Sequence, residues 1–211
     1  MTDVETLIEI AASKHGGKDA VLSRLPQPLS DSELVSIADD RYLSAMTKCV
    51  FRSGFVWRVI EQKWPDFETV FHQFNPMGAA YMSDERVEEL MSDNRIVRHR
   101  QKILALRENA KFVLEIAEWP ITEIVDLWAL LKQRGSRLGG LTGPGFLRIV
   151  SKDTFMLTED VKKALVIHNL VDSMPTGSKK TQKTVQAIFN QLSNESGWPL
   201  SKISRLLALT V

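Results

Sequence analysis

Apolar residues recur along this chain at intervals of three and four, and the pattern restarts after each break. Val4, Leu7, Ile8, Ile10 and Ala11 mark one helical face, which Gly16-Gly17 ends. Pro26-Gln27-Pro28 is a break. Ser30-Asp31-Ser32-Glu33 has the spacing of a reciprocal helix cap, so a helix carrying Leu34 and Ile37 should follow. Asp39-Asp40 opens an amphipathic helix through Tyr42, Leu43, Met46, Val50 and Phe51 that stops at Gly54. Trp57, Ile60 and Trp64 continue the apolar face as far as Pro65. Short helices are expected over about 66–72, 76–81 and 83–91. The longest should run from about 95 to 117 through Ile96, Ile103, Leu106, Val113 and Ile116, with Pro120 beyond it. Ile124, Leu127, Trp128 and Leu131 share a face over 123–132, and helices resume at about 145–151, 159–167, 178–194 and 200–209. No run alternates with period two beside turn chemistry, so the chain reads as all-α. It shows no repeat at the spacing of helical solenoids.

Composition narrows the class. At 211 residues, 44% hydrophobic and 25% charged, this is a globular chain of one or two domains. The expected division is an N-terminal helical arm over 1–38 and a core over 39–211. The one cysteine, Cys49, excludes a disulfide framework and any site built on two thiolates. No apolar run reaches about 18 residues, so no membrane span is expected. The acidic start Met1-Thr2-Asp3-Val4-Glu5 does not resemble a secretory signal. These features together predict a cytoplasmic protein with no membrane partner. With 27 Lys and Arg against 26 Asp and Glu the net charge is +1, which argues against a broadly basic nucleic-acid binder. The charge is uneven, however. Residues 1–48 are mainly acidic, while 95–111 hold Arg95, Arg98, Arg100, Lys102, Arg107 and Lys111 against Glu108 alone. Lys179, Lys180 and Lys183 make a second, smaller cluster.

The stretch with candidate chemistry is Leu138-Gly139-Gly140-Leu141-Thr142-Gly143-Pro144-Gly145-Phe146-Leu147-Arg148, between two expected helices. Glycines at this density permit tight turns and close backbone approach. A hairpin over about 138–148, leading into a helix N-terminus, could turn the N–H groups of Gly140, Gly143 and Gly145 towards a phosphate, with Arg148 beside them. It is not a dinucleotide fingerprint, which needs a preceding strand, nor a P-loop, which needs Gly-Lys-Ser/Thr. Lys152-Asp153-Thr154-Phe155-Met156-Leu157-Thr158-Glu159-Asp160-Val161 then opens the next helix with two carboxylates.

A glycine-rich hairpin followed at this distance by a carboxylate resembles the helix-hairpin-helix DNA glycosylases. The match is imperfect at Gly139, where that pattern usually has proline. Phe71-His72-Gln73-Phe74-Asn75-Pro76, Arg98-His99-Arg100-Gln101-Lys102-Ile103 and Gly54-Phe55-Val56-Trp57 are similar to segments of one branch, the 3-methyladenine DNA glycosylase I family. The similarity is collinear over about 39–117 and weaker through 165. It implies a helix-hairpin-helix glycosylase fold in two helical subdomains flanking a cleft. It also implies base-excision repair of a damaged, alkylated purine by hydrolysis of its N-glycosidic bond, without a cofactor. The partner would be double-stranded DNA with a damaged base, bound by a monomer, nucleoid-associated in a bacterium.

Carried onto this sequence, the resemblance makes Asp160 the catalytic carboxylate, with Glu159 as its alternate. It places Trp57, Phe51, Phe55, Tyr42 and Cys49 around the base pocket. Two departures stand out. The family's lesion-reading glutamate, eight residues before the pocket tryptophan, is here Cys49. The family's structural zinc site has no counterpart, since His15, His72, His99 and His168 lack ligand spacing, and no metal is expected. No hairpin lysine matches a Schiff-base position, so strand cleavage is not expected. The alternatives are a non-catalytic lesion-binding module of the same fold and a helical protein-interaction domain.

Overall fold

The computed structural model describes residues 3–116 and 123–211, and every regular element among them is helical. In chain order these are α1 (Val4–His15), α2 (Lys18–Leu22), α3 (Asp31–Val35), α4 (Asp39–Arg52), α5 (Trp57–Val70), α6 (Pro76–Ala80), α7 (Asp84–Ser92), α8 (Arg100–Glu115), α9 (Ile124–Arg134), α10 (Thr142–Ile149), α11 (Glu159–Ile167), α12 (Lys179–Ser196) and α13 (Leu200–Ala208). No described helix is long and apolar enough to cross a membrane. Pro120 and the expected end of the long helix at 117 lie outside the described residues.

The chain forms two compact units. One comprises residues 31–122 and 126–150, the other residues 1–30, 123–125 and 151–211. The expected arm ended at residue 38. The boundary between the units falls at Ser30/Asp31, and residues 1–30 share their unit with the C-terminal helices.

In the first unit α4 is the central element, packing against α5, α6, α8 and α10. Its core face holds Leu43, Met46, Val50 and Phe51, at the helical spacing read from the sequence. Phe51 meets Phe67 edge-on at 4.8 Å. Trp64 stacks on Phe67 at 5.0 Å and on Phe74 at 5.4 Å, joining α5 to the turn that follows it. That turn is unusual. His72, Gln73 and Phe74 all have positive φ, from 50 to 58°, a conformation that costs an L-residue roughly 1–2 kcal/mol each. The buried Phe74 ring and an Arg41 guanidinium donating to the Gln73 carbonyl at 2.7 Å hold it in place. Arg41 also grips Glu68 through two bonds of 3.1 Å, and Glu68 accepts from Ser44 Oγ and Trp64 Nε1.

Three expected boundaries moved. Pro65 does not end the helix: α5 continues to Val70, because Ile60, Trp64, Phe67 and Val70 form one buried stripe straight through it. Pro65 and Glu61, whose carbonyl loses its usual donor, both lie on the exposed face, where water can satisfy that oxygen. The long helix starts at Arg100, not 95. Asp93 accepts from the Arg95 N–H at 2.9 Å, and Lys63 Nζ donates to the carbonyls of Asn94 and Arg95, so these groups are turned away from a helical ladder. Finally, α10 begins at Thr142, three residues before the expected start. Pro144 falls in its first turn, where a missing N–H costs nothing.

In the second unit α13 packs against α1, α11 and α12. Phe155 stacks on Phe189 at 4.5 Å. Asp153 caps α13 with both oxygens, accepting from the N–H groups of Leu200 at 3.0 Å and Ser201 at 2.8 Å. Lys14 Nζ donates to the Thr210 carbonyl at 2.6 Å, and the ring of His15 lies 3.0 Å from the Leu209 carbonyl.

Candidate functional site

The five residues expected around a base pocket separate into two groups. Tyr42, Cys49 and Phe51 lie on the inward face of α4 and are buried. The Tyr42 hydroxyl donates to the Leu34 carbonyl at 2.7 Å, its ring meets Phe146 edge-on at 6.3 Å, and Phe51 is fully enclosed. These are core side chains. Phe55 and Trp57 instead stand on the surface segment between α4 and α5, with Val56 between them. Trp57 is 63% exposed although it opens a helix. The Arg52 guanidinium lies 5.0 Å from its ring centroid and is itself paired with Glu61. A large exposed indole, held by a cation on a rigid helix start, is a surface for stacking a planar ligand.

Burial pushes the Cys49 thiol up to about 12, so it is neither a thiolate nor an acceptor that could replace a carboxylate. Ellman's reagent at pH 8 should therefore leave the native protein unlabelled and modify one thiol per chain once it is unfolded. Labelling of the native form would place Cys49 in an accessible site.

The hairpin divides its glycines by role. Gly140 has φ +60° and open space around it. Gly143 is required for a different reason: a Cβ there would lie 2.6 Å from the Leu138 carbonyl oxygen and 3.5 Å from Leu131. The two arms of the hairpin therefore touch backbone to backbone. The Gly145 N–H donates to the Leu141 carbonyl at 2.9 Å inside α10, so it is not available to a phosphate as the sequence suggested. Arg148 is half-buried in the last turn of α10. Beside the hairpin, Val50, Ser53, Arg137, Gly139 and Thr142 line a cavity of about 280 Å³. The Arg137 side chain there donates to Gln101 Oε1 at 3.1 Å.

In the other unit, Asp160 sits in the first turn of α11, exposed and making no ion pair among the described residues. Glu159 is tied to Lys162 at 2.7 Å, and that bond holds its carboxyl below the usual range.

The basic run at 95–111 is largely neutralised by neighbours: Arg95 with Asp93, Arg100 with Glu88, Arg107 with Asp84 and Lys111 with Glu108. Lys102 is held in a different way. It is buried, and its Nζ donates to the carbonyls of Val50, Phe51 and Ser53. A lysine inside a run of arginines gives no sign of this, because its partners are backbone oxygens some 50 residues away.

No cluster of three or more His, Cys, Asp or Glu among the described residues could hold a metal ion. The zinc site implied by the resemblance does not fit this chain: Cys49 is enclosed within α4, and His15 and His168 are engaged with Leu209 and Thr210.

In architecture the chain has the all-α fold of the helix-hairpin-helix DNA glycosylases. It superposes on the 8-oxoguanine DNA glycosylase of Methanocaldococcus jannaschii with a TM-score of 0.62 at 17% identity, over 95% of this chain and 91% of that one. A methyladenine glycosylase family model matches residues 35–135. DNA-3-methyladenine glycosylase 1 of Escherichia coli is 37% identical over 67 residues, 32% of this chain and 36% of that protein. The DNA-3-methyladenine glycosylase of Haemophilus influenzae is 32% identical over 63 residues, 30% of this chain and 34% of that protein. The chain thus matches little more than a third of the length of these curated relatives. Over residues 35–135 its sequence is therefore similar to that of the methyladenine glycosylases.

Proposed function

We propose that this chain is a monofunctional DNA glycosylase that binds duplex DNA as a monomer, extrudes an alkylated purine and hydrolyses its N-glycosidic bond. It would act wherever the cell keeps its DNA, the cytoplasm and nucleoid of a bacterium. The observation that carries this reading is the exposed Phe55-Val56-Trp57 segment, set on α4 and α5 within the family-matched region. Extruding a base costs a few kcal/mol of stacking, which an exposed aromatic face can return. An N3-methylated adenine carries positive charge, so a π-face favours it over adenine.

The chemistry follows from that charge. The C1′–N bond breaks with its electron pair going to the base, which leaves neutral. A water oxygen bonds to C1′ in its place, and the water's proton passes to the Asp160 carboxylate. The same negative charge stabilises oxocarbenium character on the sugar.

The test is incubation of purified protein with duplex DNA treated with a methylating agent, followed by identification of the released bases. Release of 3-methyladenine supports the reading, and absence of any released base overturns it. Trp57→Ala should weaken binding to abasic-site duplex by about 5- to 150-fold, the value of one lost base–aromatic stack, measured by fluorescence anisotropy.

A second reading is favoured by Cys49. A neutral buried thiol stands where the resembled family has its lesion-reading glutamate, which suits a lesion-binding module without catalysis. Tight abasic-site binding with no base release would select it.

A further inference from the structure

The end of α4 presents a difficulty that the Arg98-His99-Arg100-Gln101-Lys102 motif solves. The last carbonyls of a helix have no partners within it. Those of Val50 and Phe51, with Ser53 just beyond, converge on one buried point. Lys102, from the first turn of α8, delivers its ammonium there and is only 3% exposed. Nζ donates to Val50 at 2.8 Å, to Phe51 at 3.1 Å and to Ser53. Three acceptors exhaust its three donors. Phe55 lies over the same charge, its centroid 4.5 Å from Nζ, and the His99 ring meets Phe55 edge-on at 6.0 Å. Gly54, at φ +78°, turns the chain between these contacts. Beyond Phe55 the backbone passes directly into Trp57 at the start of α5.

Burial, with the Arg137 guanidinium adding to it, lowers the Lys102 ammonium to about 8, while the carbonyls of a helix C-terminus favour its charged form. A buried cation with no carboxylate partner is costly to keep for stability alone. Here it ties two carbonyls at the end of α4 to the Ser53 carbonyl and to the Phe55 ring of the exposed aromatic segment.

We propose that Lys102 is a positioning residue that fixes the turn over residues 53–56, and so sets Phe55 and Trp57 in the orientation that receives the base. Its consequence for catalysis rests on the glycosylase reading; its effect on the turn does not.

The test uses the full chain with Lys102→Met, Phe55→Ala and the double variant. Two quantities are read: amide hydrogen exchange at residues 53–57, and single-turnover release of 3-methyladenine from methylated duplex. Lys102→Met should speed exchange at 53–57 at least tenfold while leaving the α12 amides unchanged, and should lower release at least tenfold. Combined with Phe55→Ala, its effect on release should be clearly smaller than the product of the two single losses, because both act through one ring. Should Lys102→Met not fold, Lys102→Arg carries the same expectation, since a planar guanidinium fork cannot converge on three carbonyls. Unchanged exchange at 53–57, or losses that multiply, would overturn the proposal. If the unsubstituted protein releases no base, the exchange result and abasic-site binding still decide the role of Lys102, and only the catalytic reading falls.

Discussion

Asp160→Asn should lower single-turnover release of methylated purine by roughly 10²–10⁴-fold while leaving thermal stability and binding to abasic-site duplex near those of the unsubstituted protein. Asparagine keeps the shape, and Thr158 remains the cap of α11, but asparagine can neither take a proton nor offset positive charge at the sugar. The neighbouring carboxylate provides the contrast. Glu159 is tied to Lys162 by a 2.7 Å bond within its own helix, so Glu159→Gln should leave release near the unsubstituted rate. A pair of variants in adjacent positions with opposite outcomes separates a chemical role from the general preference for acids at a helix start. Equal activity in Asp160→Asn would remove Asp160 from the mechanism.

The second large effect is steric. Gly143→Ala places a methyl group 2.6 Å from the Leu138 carbonyl oxygen, well inside contact distance, and the obstruction is backbone that cannot rotate away. The hairpin arms must separate, at a cost of about 1–3 kcal/mol. A lowered melting temperature should accompany weaker binding to duplex DNA, since the same loop is proposed to face phosphate. Gly140→Ala is the informative comparison. Nothing lies within 4 Å of its would-be Cβ, so its cost is only that of a left-handed backbone, about 1–2 kcal/mol, with the hairpin arms still in contact. If the two variants bind DNA equally well, close approach of the arms is not what the hairpin needs.

Much of the helical order was readable from residues, because glycine and capping side chains act locally. Gly16-Gly17, Gly54 and the acids at 39–40 mark real helix ends. The readings that moved were decided at longer range. Pro65 signals a break, but the buried stripe through Trp64 and Phe67 outweighs it. Three consecutive left-handed residues at 72–74 carry no glycine to announce them; they are held by Arg41, more than 30 residues earlier. The candidate site was legible to a similar depth. Periodicity put Tyr42, Phe51 and Trp57 on apolar faces, yet it cannot tell a face that meets the core from one that meets a ligand. Only packing separates the buried Tyr42 and Phe51 from the exposed Trp57. Lys102 was hidden for the same reason as the turn at 72–74: its partners are backbone atoms distant in sequence.

The bonds from Lys14 and His15 to Thr210 and Leu209 span 196 and 194 residues. They impose an order of assembly during synthesis. The unit built from residues 31–122 and 126–150 contains the sequence of α4, α5, α8 and α10 and can close while translation continues. By contrast α1, made long before α13, has only the neighbouring α2 to pack on until α13 follows. Until α13 is made, the apolar stripe Val4, Leu7, Ile8 and Ala11 is only partly covered. Nascent chains stalled before residue 200 should therefore depend on holdase chaperones more than the finished protein does.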